Sequence, residues 1–559
     1  MTNNQFRLIL LLLGALLFLP FLGNAPLFDW DEINFAESAR EMIVTGNYSR
    51  VQINFQPFWE KPPLFLWLQV LSMKAFGINE YAARFPNAIF GIITLLTLFE
   101  IGKELRSARF GFLCAICMCG SFLPLIYFKS GIIDPVFNYF IFTSIWFLSR
   151  AIKNYGNKSA SRHSLYAGLL IGLAILTKGP VGLLLMLLTV LIYWILIRFR
   201  AIASLRSILI FAFTTISVSA FWFLPETIMH GPWFLEEFIE YQIRLFTTPD
   251  AGHEQPFYYH LLIVLIGCFP MSVVGLRTLF RRSSLRLNDP DFIRWMKVLF
   301  WVVLILFSIV TTKIIHYSSM TYLPLSMIAA LSLEEWLEGK QSWNVFQLAG
   351  AFIIGIIPAL IVLGVPLAGM NIAALKPFIK DASAIENLKA VVTWNYIDLV
   401  PGMILLTGLC AGIFWLSRGI RRHVPLAFFG SVILATSVFI ATFPTRIAGY
   451  TQQAAVDFYV SLQRKDVYVE TLGFKSFAQY FYSRKQGFSK MEILNSKDDE
   501  GNYNIDVLRN WYLTGETDKP VYFVVKSNKI DAFNFPDLQR LSEKNGFVFL
   551  LRPAARSKN

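Results

Sequence analysis

The groups able to do chemistry in this chain are unevenly placed. Asp29, Asp31 and Glu32 put three carboxylates into four residues. They follow an apolar run, and the stretch they open, residues 28–63, closes on Glu60-Lys61-Pro62-Pro63. A carboxylate cluster just outside a membrane helix has no packing reason to exist, which makes it a candidate site. Further on, Asp134 precedes Pro135, Lys178 stands in Thr-Lys-Gly-Pro, and His253 and Glu254 precede Tyr258 and Tyr259. Lys313, His316 and Tyr317 share one short turn. Each alone has an ordinary explanation. A lysine at a helix end snorkels to the headgroups, a loop histidine is solvated, and an Asp before Pro starts a helix. Gathered at one depth, they make a polar cavity able to hold an anionic headgroup beside a base. Lysines bind phosphate as point charges, and a carboxylate takes the proton of an acceptor hydroxyl. A phosphate leaving group lessens the need for the general acid that glycoside hydrolysis requires. The chemistry this suits is transfer from a phosphate-linked lipid.

The elements that must position these groups are membrane helices. Of 559 residues, 55% are hydrophobic and only 16% are charged, outside the range of soluble domains. Apolar runs predict about thirteen transmembrane helices, near 7–23, 83–102, 108–128, 134–150, 164–178, 180–198, 207–225, 259–279, 297–312, 317–333, 346–368, 399–417 and 425–443. The net charge of +13 is concentrated in loops 103–109, 150–163, 198–206, 281–297 and 418–423. The positive-inside rule places those loops in the cytoplasm, and this accounts for the charge without nucleic acid. The N-terminus is then inside. The acidic stretches, namely the candidate catalytic loop 24–82, the loop 226–258 and the 369–398 loop, are outside. The spacing of Phe35, Ala36, Ala39, Met42 and Ile43 predicts a short amphipathic helix on the membrane surface, beginning near Asp31. After residue 444 the pattern mixes strand-like and helix-like segments. Residues 445–559 are therefore expected to form a small extracytoplasmic α/β accessory domain on an otherwise all-α polytopic protein, residues 1–444. The five cysteines lie in apolar runs and imply no disulfide framework. Gly168-x-x-x-Gly172 reads as a close helix–helix approach.

The run Asp31-Glu32-Ile33-Asn34-Phe35-Ala36-Glu37-Ser38-Ala39-Arg40-Glu41-Met42, then Glu60 to Pro63, Asp134-Pro135 and Thr177 to Pro180, resembles the bacterial 4-amino-4-deoxy-L-arabinose lipid A transferases. These are GT-C glycosyltransferases, related to protein O-mannosyltransferases. The resemblance implies a bacterial inner-membrane enzyme with its active site on the periplasmic face. It would use a polyprenyl-phosphate-linked sugar as donor and lipid A or another envelope molecule as acceptor. It implies Asp31 and Asp134 as catalytic carboxylates, with Asp31 as the base of an inverting transfer. It implies Glu32, Lys61, Lys178, Lys313 and Tyr317 as substrate contacts. Glu60 and His253 are the residues it places near a divalent metal, zinc where one is bound.

The chain departs from that pattern at Asn34, where the family often has Arg, and at Phe35, where it often has Tyr. Glu254 stands after His253 where a Lys is common. Losing an Arg–phosphate contact removes about 1.5–3 kcal/mol of charge-assisted hydrogen bonding. Lys61 and Lys178 then compensate, or the donor differs. Two other readings keep the same cavity: a protein O-glycosyltransferase, and a flippase that binds the headgroup without chemistry.

Overall fold

The computed structural model describes residues 1–58, 60–247, 255–379, 382–486 and 505–555. The first half runs α1 (Asn3–Phe18), α2 (Asp31–Thr45), a two-residue hairpin β1 (Gln52–Ile53) and β2 (Gln56–Pro57), α3 (Leu64–Phe76), α4 (Glu80–Leu105), α5 (Ala108–Cys119), α6 (Phe122–Tyr127), α7 (Asp134–Lys153), α8 (Lys158–Lys178), α9 (Val181–Leu196), α10 (Leu205–His230) and α11 (Trp233–Thr247). The second half continues with α12 (Tyr259–Gly267), α13 (Met271–Phe280), α14 (Pro290–Ile309), a 3-10 turn at Ile315–Thr321, α15 (Tyr322–Leu337), α16 (Val345–Met370), two short helices α17 (Ile372–Leu375) and α18 (Ala382–Asn387), α19 (Val400–Ser417), α20 (Ser431–Thr451) and α21 (Gln453–Ser461).

Six helical segments among the described residues are long and apolar enough to cross a membrane, and α12 with α13, bent by 118°, add a seventh if taken as one span. These seven coincide with expected spans. The other six expected spans are helical too, but shorter, broken by a turn or less apolar, so the expectation of thirteen crossings stands unconfirmed. The outward faces suit lipid: on α10, Phe213, Ile216 and Phe221 are largely exposed. This apolar belt makes the chain a multi-pass membrane protein.

Local rules set the ends that matter. Asn79 caps α4 by accepting from the Ala82 amide at 2.8 Å. Pro135 at the first turn of α7 puts Asp134 at a helix start, where a carboxylate suits the dipole. Between α8 and α9, Gly179 has φ 87°, and a Cβ there would lie 2.2 Å from the Phe238 ring. No other residue fits, and this turn sets Lys178 at its height. Gly168 and Gly172 bring α8 against α10, where added Cβ atoms would meet the Phe211 carbonyl oxygen at 2.6 Å and Val218 at 2.7 Å. That motif is structural, as expected.

The helix predicted to lie on the membrane surface is α2, and it is not a surface helix. Every residue from Glu32 to Met42 is buried, with α3 on one side and α22 (Ala478–Ser483) of the C-terminal region on another. The C-terminal region holds a four-stranded sheet ordered β3-β4-β6-β5, from β3 (Tyr468–Leu472), β4 (Val521–Lys526), β5 (Gln539–Lys544) and β6 (Phe547–Arg552). β3 and β4 are parallel, and the other pairs antiparallel. Alternation along β4 explains its position: Val521, Phe523 and Val525 pack under the helix at Ile505–Thr514, while Val524 joins the core shared with the membrane helices. α20 runs as one helix to Thr451, through the expected boundary at residue 444.

Candidate functional site

A cavity of about 570 Å³ opens where the start of α2, the loop before α3, the N-terminus of α7, the α8–α9 turn, α11 and the 3-10 turn converge. Asp31, Asn34, Glu60, Lys61, Asp134, Lys178, His316 and Tyr317 supply its polar lining. Leu184, Leu185, Leu306, Phe307 and Val310 supply an apolar wall. The fold thus gathers into one chamber residues that are spread along the chain from Trp30 to Met320.

Several of the charges pair directly. Lys178 Nζ donates to Asp134 Oδ1 at 2.6 Å and lies 5.2 Å from the centre of the Tyr317 ring. His316 Nε2 stands between the two carboxylates, 3.5 Å from Asp31 Oδ2 and 3.8 Å from Asp134 Oδ2. Lys61 Nζ is 4.0 Å from Glu60 Oε2 and 4.9 Å from the centre of the Tyr241 ring. The Lys61 ammonium is held below the usual lysine range, chiefly because burial disfavours its charge and further because Lys178 is near, against the pull of Glu60, Asp31 and Asp134. The two aspartates differ in access, since the Asp31 side chain is 36% exposed and that of Asp134 only 5%.

Two expected contacts are not on the cavity wall. Glu32 is next to Asp31 but turned away and fully committed: Arg84 Nη2 and Nε donate to its carboxylate at 2.6 and 2.9 Å, and the Phe28 and Gly131 amides also donate to it. Adjacent helical residues point about 100° apart, so only one of the pair can face the cavity. Lys313 is buried behind the turn on the side of His260, while its neighbours Thr312 and Ile314 line the cavity. Glu60 lies on the wall, but His253 and Glu254 fall outside the described residues. Among the described residues no group of three or more His, Cys, Asp or Glu is arranged to hold a metal ion.

Other residues of the site are poorly marked in the sequence. His316 is visible as a polar residue in its turn, but not as the bridge between Asp31 and Asp134. Asn138 ties α7 to that turn, donating to Tyr127 Oη at 2.6 Å and Ser319 Oγ at 2.8 Å. Tyr241 reaches the cavity from α11, whose apolar positions Phe234, Phe238 and Tyr241 recur at helical spacing. That spacing marks a packed face, not a ligand contact.

The fold has counterparts among solved membrane proteins. The crystal structure of ArnT from Cupriavidus metallidurans bound to undecaprenyl phosphate superposes with a TM-score of 0.78, covering 99% of both chains at 16% identity. The model of the dolichyl-phosphate-mannose-protein mannosyltransferase family matches residues 60–229. The chain is similar to an undecaprenyl phosphate-alpha-4-amino-4-deoxy-L-arabinose arabinosyl transferase of Proteus mirabilis, 25% identical over 60% of each chain. It is also similar to the transferase of that name in Pectobacterium carotovorum, 26% identical over 72% of this chain and 75% of the relative. An uncharacterized protein of Aquifex aeolicus is 28% identical over 57% of this chain and 63% of its own. The match thus spans about three-fifths of the length of the Proteus and Aquifex relatives.

Proposed function

We propose that the chain is an inner-membrane glycosyltransferase that moves a sugar from a polyprenyl-phosphate donor to lipid A or another envelope acceptor. One observation carries this reading: an accessible carboxylate, a bridging imidazole and two lysines share the polar end of a cavity whose other wall is apolar. The apolar wall suits the prenyl chain, and the lysines suit the phosphate. Each lysine has three N–H donors, so pairing with a carboxylate leaves donors for a phosphate oxygen.

Asp31 is the base. The acceptor oxygen attacks the anomeric carbon, the bond from that carbon to the phosphate oxygen breaks, and the electron pair leaves with the polyprenyl phosphate. The acceptor proton passes to Asp31. The displacement at the anomeric carbon is single, so the configuration there inverts. Asp134 is a positioning residue that orients Lys178, and His316 holds Asp31 in place. A divalent ion at Glu60 and His253 is a separate proposal, through which no step is routed. Metal analysis of the purified chain, with and without chelator, tests it.

A periplasmic site is supported by the far end of the same helices. α7 carries Asp134 at its start and Arg150 in its last turn. Arg150 pairs with Glu104 and Asp289, about 24 Å along the helix from Asp134. The basic loops and the cavity therefore occupy opposite ends of one helix. The test of the main reading is transfer of labelled sugar from undecaprenyl phosphate by purified Asp31→Asn. Wild-type turnover with loss in the variant supports it, and full activity in the variant removes Asp31 from the mechanism. A protein acceptor is the second reading, favoured by the name of the family whose model matches residues 60–229. Label recovered in protein and not in lipid establishes it, and label left on the donor points to a flippase.

A further inference from the structure

Trp30 precedes Asp31 and occupies the N-cap of α2, where Ser, Thr, Asp or Asn would satisfy a backbone amide. Its side chain makes no cap hydrogen bond, so the backbone gains nothing from an indole there. The side chain is half-buried and lines the cavity beside Asp31.

The back of the indole belongs to the C-terminal region. The Phe477 ring stacks on it, with centroids 5.6 Å apart and planes inclined by 28°. Lys475 Nζ lies over it, 4.6 Å from the ring centre. Lys475 Nζ is also only 6.0 Å from the centre of the Phe477 ring, too near for the two to sit on opposite faces of the indole. Both therefore back one face, and the cavity wall includes Trp30 but neither of them. The opposite face is left to the cavity. The chain just before Trp30 is held as well: the Leu27 amide donates to Tyr482 Oη at 2.7 Å, and Gln452 Nε2 donates to the Leu27 carbonyl at 2.9 Å. The plane of the indole is thus set largely by residues that follow the membrane helices in sequence.

What suits that face follows from its surroundings. Asp31 and Asn34, one helical turn apart, line the same cavity, and a carboxylate and an amide pair with hydroxyls. The indole face takes apolar C–H groups. A prenyl chain would match the ring and waste the polar groups, and the leucines of α9 already suit it. A phosphate would match the lysines but not an electron-rich ring face. An ammonium on the cavity face would be repelled by Lys475 behind the ring. A sugar ring has both parts needed, a C–H face and a rim of hydroxyls.

We propose that Trp30 is the platform on which the ring of the transferred sugar stacks, and that Lys475 and Phe477 hold it in plane, so that the C-terminal region completes the site. This rests on the transferase reading, in which Asp31 acts beside that ring. The test is binding to the purified full-length chain in detergent, by microscale thermophoresis. The probes are undecaprenyl phosphate carrying glucose, mannose or arabinose, and undecaprenyl methyl phosphate, which has the same diester charge and no sugar. Wild type should bind at least one sugar lipid more tightly than the methyl ester. Trp30→Ala should weaken that lipid about tenfold and the methyl ester by less than about twofold. Trp30→Phe should restore binding to within about threefold. Phe477→Leu, behind the indole, should weaken the sugar lipid several-fold with the same selectivity, and Phe477→Tyr should not, which keeps the test open if Trp30→Ala fails to fold. Equal weakening of both lipids would put the prenyl chain on the indole and overturn the proposal. A wild type that does not distinguish the lipids, or a Trp30→Ala that binds like wild type, overturns it too. Binding is read without turnover, so a chain that selects the sugar lipid through Trp30 but transfers nothing sinks the transferase reading and not this one.

Discussion

Two clusters of acid and base meet α2, and they are built in opposite ways. Along the body of the helix, Glu37, Arg40 and Glu41 are sealed from solvent. Arg40 Nε and Nη2 both donate to the Glu37 carboxylate at 2.7 Å, and Glu41 Oε2 accepts from the Phe55 amide at 2.8 Å. At the start of the helix, Asp31 faces a cavity, and His316 approaches it at 3.5 Å. Both clusters set carboxylates against a basic side chain. What differs is whether the geometry leaves room for a ligand, and this separates charges that hold the fold from charges available for chemistry.

The largest effect should come from breaking the open cluster. Asp31→Asn should lower transfer about 10²–10⁴-fold, the usual contribution of a general base, with the amount of protein in the membrane unchanged. Breaking the closed cluster should do the reverse. Glu37→Gln leaves Arg40 buried without its counter-charge, at a cost of about 3–5 kcal/mol. The amount of folded protein should fall, and the turnover of what remains should stay near wild type. Fluorescence-detected size-exclusion chromatography beside a turnover assay separates the two outcomes. Normal folding of Glu37→Gln with lost turnover would erase the distinction.

Lys178→Gln should raise the donor KM about tenfold to a hundredfold, as expected for losing a charged hydrogen bond of about 1.5–3 kcal/mol. It also frees Asp134, so some loss of turnover should accompany it. Lys61 acts at the same cavity with a pH signature. Burial lowers its pKa, so its charge is lost as pH rises through a value below the ordinary lysine range. Donor KM should therefore climb on the alkaline side, and Lys61→Arg, which stays charged, should move that limb to higher pH. An unchanged profile in the arginine variant would take Lys61 out of phosphate binding.

How much of this was legible in the sequence follows from the same contrast. Asp31, Glu60, Lys61, Asp134 and Lys178 could be found because charges beside apolar runs are conspicuous, and the structure brings them to one cavity. Glu32 could not be told from Asp31, because which of two neighbours faces the cavity depends on Arg84, 52 residues away. Lys313 is hidden for a similar reason: it lies in the extended segment just before the 3-10 turn, where its neighbours Thr312 and Ile314 face the cavity and Lys313 faces the other way. α2 was misplaced because its apolar spacing fits both a membrane surface and a packed interior. The packing of α3 and, through α22, of the C-terminal region decides between them.

The smallest effect tests the closed cluster from within. Burial, and then the nearby Glu37 carboxylate, push the Glu41 carboxyl well above the usual carboxylate range. A group whose folded pKa is raised contributes stability that is complete below its unfolded value, about 4.3, and is lost as pH rises through the folded value. Glu41→Gln removes that dependence while keeping an oxygen for the Phe55 amide. The variant should unfold at the same temperature as the parent in acid and at an equal or higher one at pH 8. Turnover should not change, because Glu41 is not on the cavity wall. A variant less stable than the parent at pH 8 would mean that ionised Glu41 contributes to the fold, and the cluster would then be balanced by Arg40 more fully than the geometry indicates.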